Sequence, residues 1–129
     1  MSAPIPPDGP PDGSPAPALI AVFTTLPERA AAQALARQMV ERGLAACAQI
    51  SEVESFYRWD GRLQQEGEFR LLLKTRAELY AALEQALREL HPYELPAIHA
   101  QALGPVYEPY ARWVAAQTAP AAPGFQREG

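Results

Sequence analysis

The sequence predicts an α+β fold, and three observations carry that prediction. Two segments repeat apolar residues at three-four spacing, as one-sided helices do. Between them lies a long stretch in which apolar and polar residues alternate, as strands do. Shorter apolar segments stand before the first helix and after the second.

The elements follow in order. Ala18-Leu19-Ile20-Ala21-Val22-Phe23 is a short apolar run that reads as a strand buried on both faces. Thr25-Leu26-Pro27-Glu28 then reads as a helix start, with Thr25 capping, Glu28 reaching back and Pro27 in the first turn. Ala32, Leu35, Ala36, Met39 and Val40 form its inward stripe, and Gly43 is placed to end it. Thr75 with Glu78 repeats the capping pattern for a second helix, whose inward face is Leu79, Leu83, Ala86, Leu87 and Leu90.

Two long strands lie between the helices. Apolar parity changes near Ser51-Glu52, which predicts a bulge or bend there. Asp60-Gly61 suits a two-residue hairpin turn. Parity points instead to a three-residue loop, Trp59-Asp60-Gly61, which puts Tyr57 and Val53 on the face of Leu63 and Phe69. A fourth strand is expected around Ala97 to Leu103. A C-terminal helix follows from about Pro109, with Tyr110, Trp113, Val114 and Gln117 on one face. This βαββαβ order with helices to one side of a largely antiparallel sheet is the ferredoxin-like arrangement.

Composition bounds the rest. At 129 residues with a 48% apolar share the chain fits one folded domain, expected over residues 18–118. Seven of the fourteen prolines fall in residues 1–17, which reads as a disordered Pro-rich tail, and residues 119–129 read the same way. The net charge of −4 and pI near 5.1 argue against a nucleic-acid binder. No apolar run reaches the ~18–20 residues of a membrane span. The amino terminus lacks a secretion signal's layout, and the single cysteine, Cys47, excludes an internal disulfide, so a cytoplasmic location is expected.

The hairpin is too long for two helices of about fourteen residues to cover, since each arm exceeds the usual ~5–6 residues twofold. The uncovered length carries Phe56, Tyr57, Trp59 and Leu63. Exposed aromatics of that extent mark an interface, so self-association into a closed ring is expected.

Chemistry-bearing residues concentrate in Leu90-His91-Pro92-Tyr93-Glu94-Leu95-Pro96, where two prolines fix the path of an imidazole, a phenol and a carboxylate. His91 has the chemistry of a metal ligand or a proton-linked switch. An imidazole bonding the last carbonyls of its own helix is the equal alternative. Lys74, the only lysine, ends a strand just before a helix, where it and the amides of Thr75-Arg76-Ala77 suit a carboxylate or phosphate. Glu66 and Glu68 share one strand face, facing either a hard cation or Arg58, Arg62 or Arg70. Tyr57, Trp59 and Tyr93 suit either a planar ligand or interface packing; Cys47 suits either thiolate ligation or packing. His99 reads as structural. No nucleophile elbow, P-loop, dinucleotide fingerprint or paired zinc-ligand spacing is present, so a non-enzymatic protein is expected.

Three blocks, in order and spread over about 100 residues, carry a resemblance. They are Gly43-Leu44-Ala45-Ala46-Cys47; Ser55-Phe56-Tyr57-Arg58-Trp59-Asp60-Gly61-Arg62-Leu63 running on to Leu73-Lys74-Thr75; and His91-Pro92-Tyr93-Glu94-Leu95-Pro96. The chain resembles the CutA family, the divalent-cation tolerance proteins. The resemblance implies a homotrimer built through long hairpin strands, similar to the trimeric nitrogen-regulatory signal proteins whose inter-subunit clefts bind small effectors. It also implies tolerance to copper and other divalent metals, with Cu²⁺ or another divalent cation as the candidate cofactor. On that basis His91 and Cys47 are the candidate metal ligands, and Lys74, His91, Tyr93, Glu94, Tyr57 and Trp59 the candidate ligand-binding set. The chain departs from the family pattern at Thr24, Leu90 and Ala97. A structural or adaptor trimer that docks a protein partner, tethered by the Pro-rich tail, is the alternative.

Overall fold

A computed structural model describes residues 16–118 of the protein. Its elements are β1 (Leu19–Leu26), α1 (Arg29–Glu41), β2 (Cys47–Trp59), β3 (Arg62–Arg76), a 3-10 turn at Ala77–Leu79, α2 (Tyr80–Leu90), β4 (Ile98–Ala102) and α3 (Glu108–Gln117). The strands hydrogen-bond in the order β2-β3-β1-β4, and every neighbouring pair is antiparallel. This is the ferredoxin-like arrangement with one added helix. The expected tails at 1–17 and 119–129 lie outside the described residues, apart from Ala16 and Pro17.

Strand parity divides the molecule into two layers. Ile20, Val22 and Leu26 of β1 and Leu71 and Leu73 of β3 point to one face. There they meet Ala32, Leu35 and Met39 of α1 and Leu83, Ala86 and Leu87 of α2. Each fully buried leucine contributes roughly 1.5–3 kcal/mol. Leu19 points the other way and packs with Ala46, Ala111 and Val114, so α3 covers one end of the opposite face. Val40 and Leu90, expected in the inward stripes, are exposed at the outer margins of their helices.

Gly43 ends α1 as the spacing predicts. Its φ of 74° is left-handed. The Gly43 amide donates to Val40 and the Leu44 amide to Met39, the paired reverse bonds of a Schellman cap. Neither capping box forms. Thr25 pairs with Arg70 inside β1, and Glu28 takes the cap position of α1 without a side-chain bond. Thr75 pairs with Ile20 inside β3, and Glu78 turns to Arg76 instead. In both places strand pairing runs one residue or more past the predicted cap. A threonine committed to a ladder cannot also turn the chain.

The hairpin corrects two expectations. β2 and β3 pair without interruption from Cys47–Lys74 to Trp59–Arg62, so there is no bulge at Ser51-Glu52. The loop has two residues, Asp60 and Gly61, with φ of 54° and 72°. Positive φ at both positions is the twist-matched turn that Asp-Gly favours. Tyr57 and Trp59 therefore share a face with Gln64, Glu66 and Arg62, not with Leu63 and Phe69. Apolar parity does not carry along the whole hairpin because β1 pairs only with Phe69–Arg76. Beyond it, Val53–Trp59 and Arg62–Glu68 form a two-stranded ribbon about 24 Å long at ~3.4 Å per residue. Within this chain the sheet core no longer imposes one apolar face on that ribbon. Phe56, Trp59 and Leu63 stand 59%, 46% and 70% exposed along it.

Candidate functional site: the His91 turn at the root of the ribbon

Where the ribbon leaves the sheet, the chain that follows α2 folds against the end of β1. Pro92 excludes helical geometry at the preceding residue, and His91 is accordingly extended at φ −75°, ψ 137°. Its ring does not return to the carbonyls of its own helix. Nε2 lies 2.9 Å from the Thr25 carbonyl oxygen and 3.0 Å from Thr24 Oγ1. Nδ1 accepts the Tyr93 amide at 3.1 Å. The His91 and Tyr93 rings lie 5.1 Å apart, centroid to centroid.

Tyr93 carries the contact onward. Its hydroxyl donates to Glu68 Oε2 at 2.7 Å, just past the last β1–β3 pair. Glu68 is only 7% exposed. One step along the same face, the Tyr57 hydroxyl donates to Glu66 Oε1 at 2.7 Å. The glutamates thus face phenols, not the arginines considered from sequence. Burial, and then the bond to Glu68, push the Tyr93 phenol well above its ordinary range. The Tyr57 phenol is raised chiefly by its bond to Glu66.

Burial also lowers the His91 pKa, while the Thr25 carbonyl and the Glu68 carboxylate oppose that shift. A histidine whose folded pKa lies below its unfolded value of ~6.5 contributes stability that is complete above ~6.5 and lost as pH falls through the folded value. Lowering pH from 7.5 to 5 is therefore expected to cost the wild type more stability than His91→Asn. Paired urea denaturation curves at the two pH values check this; an equal loss in both would refute it.

Lys74 and Cys47 lie elsewhere. They pair across β2 and β3 on the α3 face, whereas Thr24, which bonds His91, pairs with Leu71 on the face of α1 and α2. Lys74 Nζ sits 5.6 Å from the centre of the Tyr110 ring, and Cys47 Sγ is 3.8 Å from the Tyr110 hydroxyl. Burial first, and Cys47 second, hold the Tyr110 phenol up to about 12. The amide of Ala77, expected to help Lys74 hold an anion, donates instead to the Ala18 carbonyl at 2.9 Å. Trp59 stands at the ribbon tip. Glu94 is exposed beside a shallow hollow shared with Arg88, Glu89, Tyr93 and Pro96.

The structure thus joins His91 and Tyr93 and sets them apart from Lys74 and Cys47. Among the described residues no three His, Cys, Asp or Glu side chains gather as a metal centre. One protomer therefore does not bring the two expected metal ligands together. Sequence reasoning missed Thr24, Thr25 and Glu68 as partners. Thr24 had a signal: it occupies an inward position between Val22 and Leu26, where a hydroxyl needs a buried partner. His99 finds its neighbour in Phe23, stacked at 5.3 Å.

Comparison with known proteins agrees with this architecture. Residues 20–117 match the model of the family described as CutA1 divalent ion tolerance protein. A divalent-cation tolerance protein CutA from Pyrococcus horikoshii is 35% identical over 100 residues, which cover 78% of this chain and 98% of that one. One from Thermotoga maritima is 35% identical over 74% of this chain and 95% of its own. The crystal structure of CutA1 from Oryza sativa superposes with a TM-score of 0.79 at 32% identity, covering 82% of this chain and 98% of that one. CutA1 from Pyrococcus horikoshii gives 0.76 at 34% identity, covering 78% and 99%. A match through both layers, the ribbon and the His91 turn shows that the chain belongs to the CutA1 divalent ion tolerance family.

Proposed function

We propose that the chain is a non-enzymatic, cytoplasmic homotrimer serving divalent-cation tolerance, with clefts between subunits that take a divalent metal such as Cu²⁺ or a small anion. The observation that carries this reading is the bare ribbon rooted at the His91 turn. A two-stranded ribbon with exposed aromatics is marginal in water by itself. Sister copies would cover it, and the crevices so formed would lie beside Tyr93, Glu68 and Glu94. The relatives' name, divalent-cation tolerance protein, supports the physiological side. A metal held in these crevices would draw donors from more than one copy, since one copy gathers no three such donors among its described residues, and Cys47 is the soft donor each copy carries. Lys74 supplies the cation for an anionic ligand, and Tyr57 and Trp59 the stacking surface.

Sedimentation of the full chain at micromolar concentration is expected to give three copies of 14.1 kDa. Calorimetric titration with Cu²⁺ and a panel of nucleotides is expected to show saturable heat for at least one of them. A compact single molecule would overturn the assembly, and flat traces throughout would remove the ligand role.

A further inference from the structure

The structure assigns His91 a role as the positioning residue of the 91–96 turn, committed at both ring nitrogens, and not as a metal ligand. The inference rests on the cleft reading above and narrows it by naming which groups the cleft leaves free. The Tyr93 amide can only donate, so Nδ1, which faces it at 3.1 Å, carries a lone pair. The Thr25 carbonyl can only accept, so Nε2, at 2.9 Å, carries the proton. Thr24 Oγ1 at 3.0 Å is then a second acceptor for that same N–H. The neutral Nε2–H tautomer satisfies every one of these contacts, and no ring nitrogen is left over.

A metal has no approach to this ring without dismantling the turn. An ion bound at Nε2, roughly 2.0–2.1 Å from it, would have to replace the proton that the ring shares with the Thr25 carbonyl at 2.9 Å and Thr24 Oγ1 at 3.0 Å. An ion at Nδ1 would take the acceptor of the Tyr93 amide and release the residue whose hydroxyl holds Glu68. Cys47, the other soft donor, lies on the opposite face of the sheet beside Tyr110. What His91 does is mechanical. It pins the turn to Thr24 and Thr25 and thereby places the Tyr93 hydroxyl on Glu68, at the point where the ribbon leaves the sheet.

Nitrogen-15 spectra of the two histidine rings in the full chain test this, with Zn²⁺ as a diamagnetic divalent probe and His99→Gln to assign the signals. The expected result is the Nε2–H tautomer for His91 in the free protein, with both ring nitrogens unmoved at tenfold excess Zn²⁺. An Nδ1–H tautomer, or movement of either His91 nitrogen on adding Zn²⁺, would overturn the assignment. The free-protein spectrum is decisive even if the clefts bind nothing, so this assignment and the cleft reading fail separately.

Discussion

Arg76→Ala is expected to destabilise the fold by about 3 kcal/mol, the scale of losing a buried group with charge-assisted bonds and orphaning its acceptors. Arg76 is buried at the end of β3, on the face that α3 covers. Nε donates to Thr118 Oγ1 at 3.0 Å, Nη2 to the Thr118 carbonyl at 2.6 Å and Nη1 to Glu78 at 2.7 Å. The guanidinium therefore satisfies the residue just past the C-terminus of α3 while favouring the negative end of that helix. Removing it leaves the Thr118 carbonyl without its donor and frees the helix end from the sheet. Arg88→Ala is the matched control. Its partner Glu84 is 3.8 Å away on an open helix surface, where such pairs contribute about 0.3–0.5 kcal/mol. Urea denaturation at one fixed protomer concentration separates the two. A loss below 1 kcal/mol for Arg76→Ala would show that the clamp is incidental.

The second large effect concerns assembly. Phe56→Glu with Trp59→Glu is expected to weaken self-association by roughly two to four orders of magnitude. Burying two aromatics contributes about 3–6 kcal/mol, and each 1.4 kcal/mol is a factor of ten. The two residues lie on opposite faces of the ribbon, because their positions in β2 differ by an odd number. A partner that buries both must wrap the ribbon or sandwich it. The variant's own fold is expected to persist, since neither residue belongs to either apolar cluster of the sheet. Sedimentation across a hundredfold dilution range reads the outcome. Unchanged assembly would place the contact surface elsewhere.

The helices, the order of elements along the chain and most of the inward faces of α1 and α2 were legible because apolar spacing is local, whereas the placement of α3 on the opposite face of the sheet depends on packing with Leu19 and Ala46. The sequence also exposed the ribbon's excess length, since thirteen and fifteen residues are too many for two short helices to cover. It misplaced the caps because Thr25 and Thr75 satisfy a local capping pattern and a non-local strand pairing equally well. Only the ladder to Arg70 and to Ile20 decides between them. The loop error had the opposite character. The local Asp-Gly signal was right, and a wider parity argument overrode it by assuming one apolar face for the whole hairpin. His91, Tyr93, Thr24 and Glu68 illustrate the remaining gap. The prolines marked the segment, but which strand it docks against depends on contacts 25 and 67 residues apart in the chain.

The unbroken pairing from Cys47–Lys74 to Trp59–Arg62 restricts how this protein's length can drift over evolutionary time. Losing one residue from a single arm would invert every distal side chain relative to the strand beside it. Losing a matched residue from each arm would keep the two arms aligned but exchange the two surfaces of everything toward the tip. Only deletions of two opposed pairs, or insertions of the same size, leave each aromatic looking the way it does now. Viable relatives should therefore change ribbon length in steps of four residues.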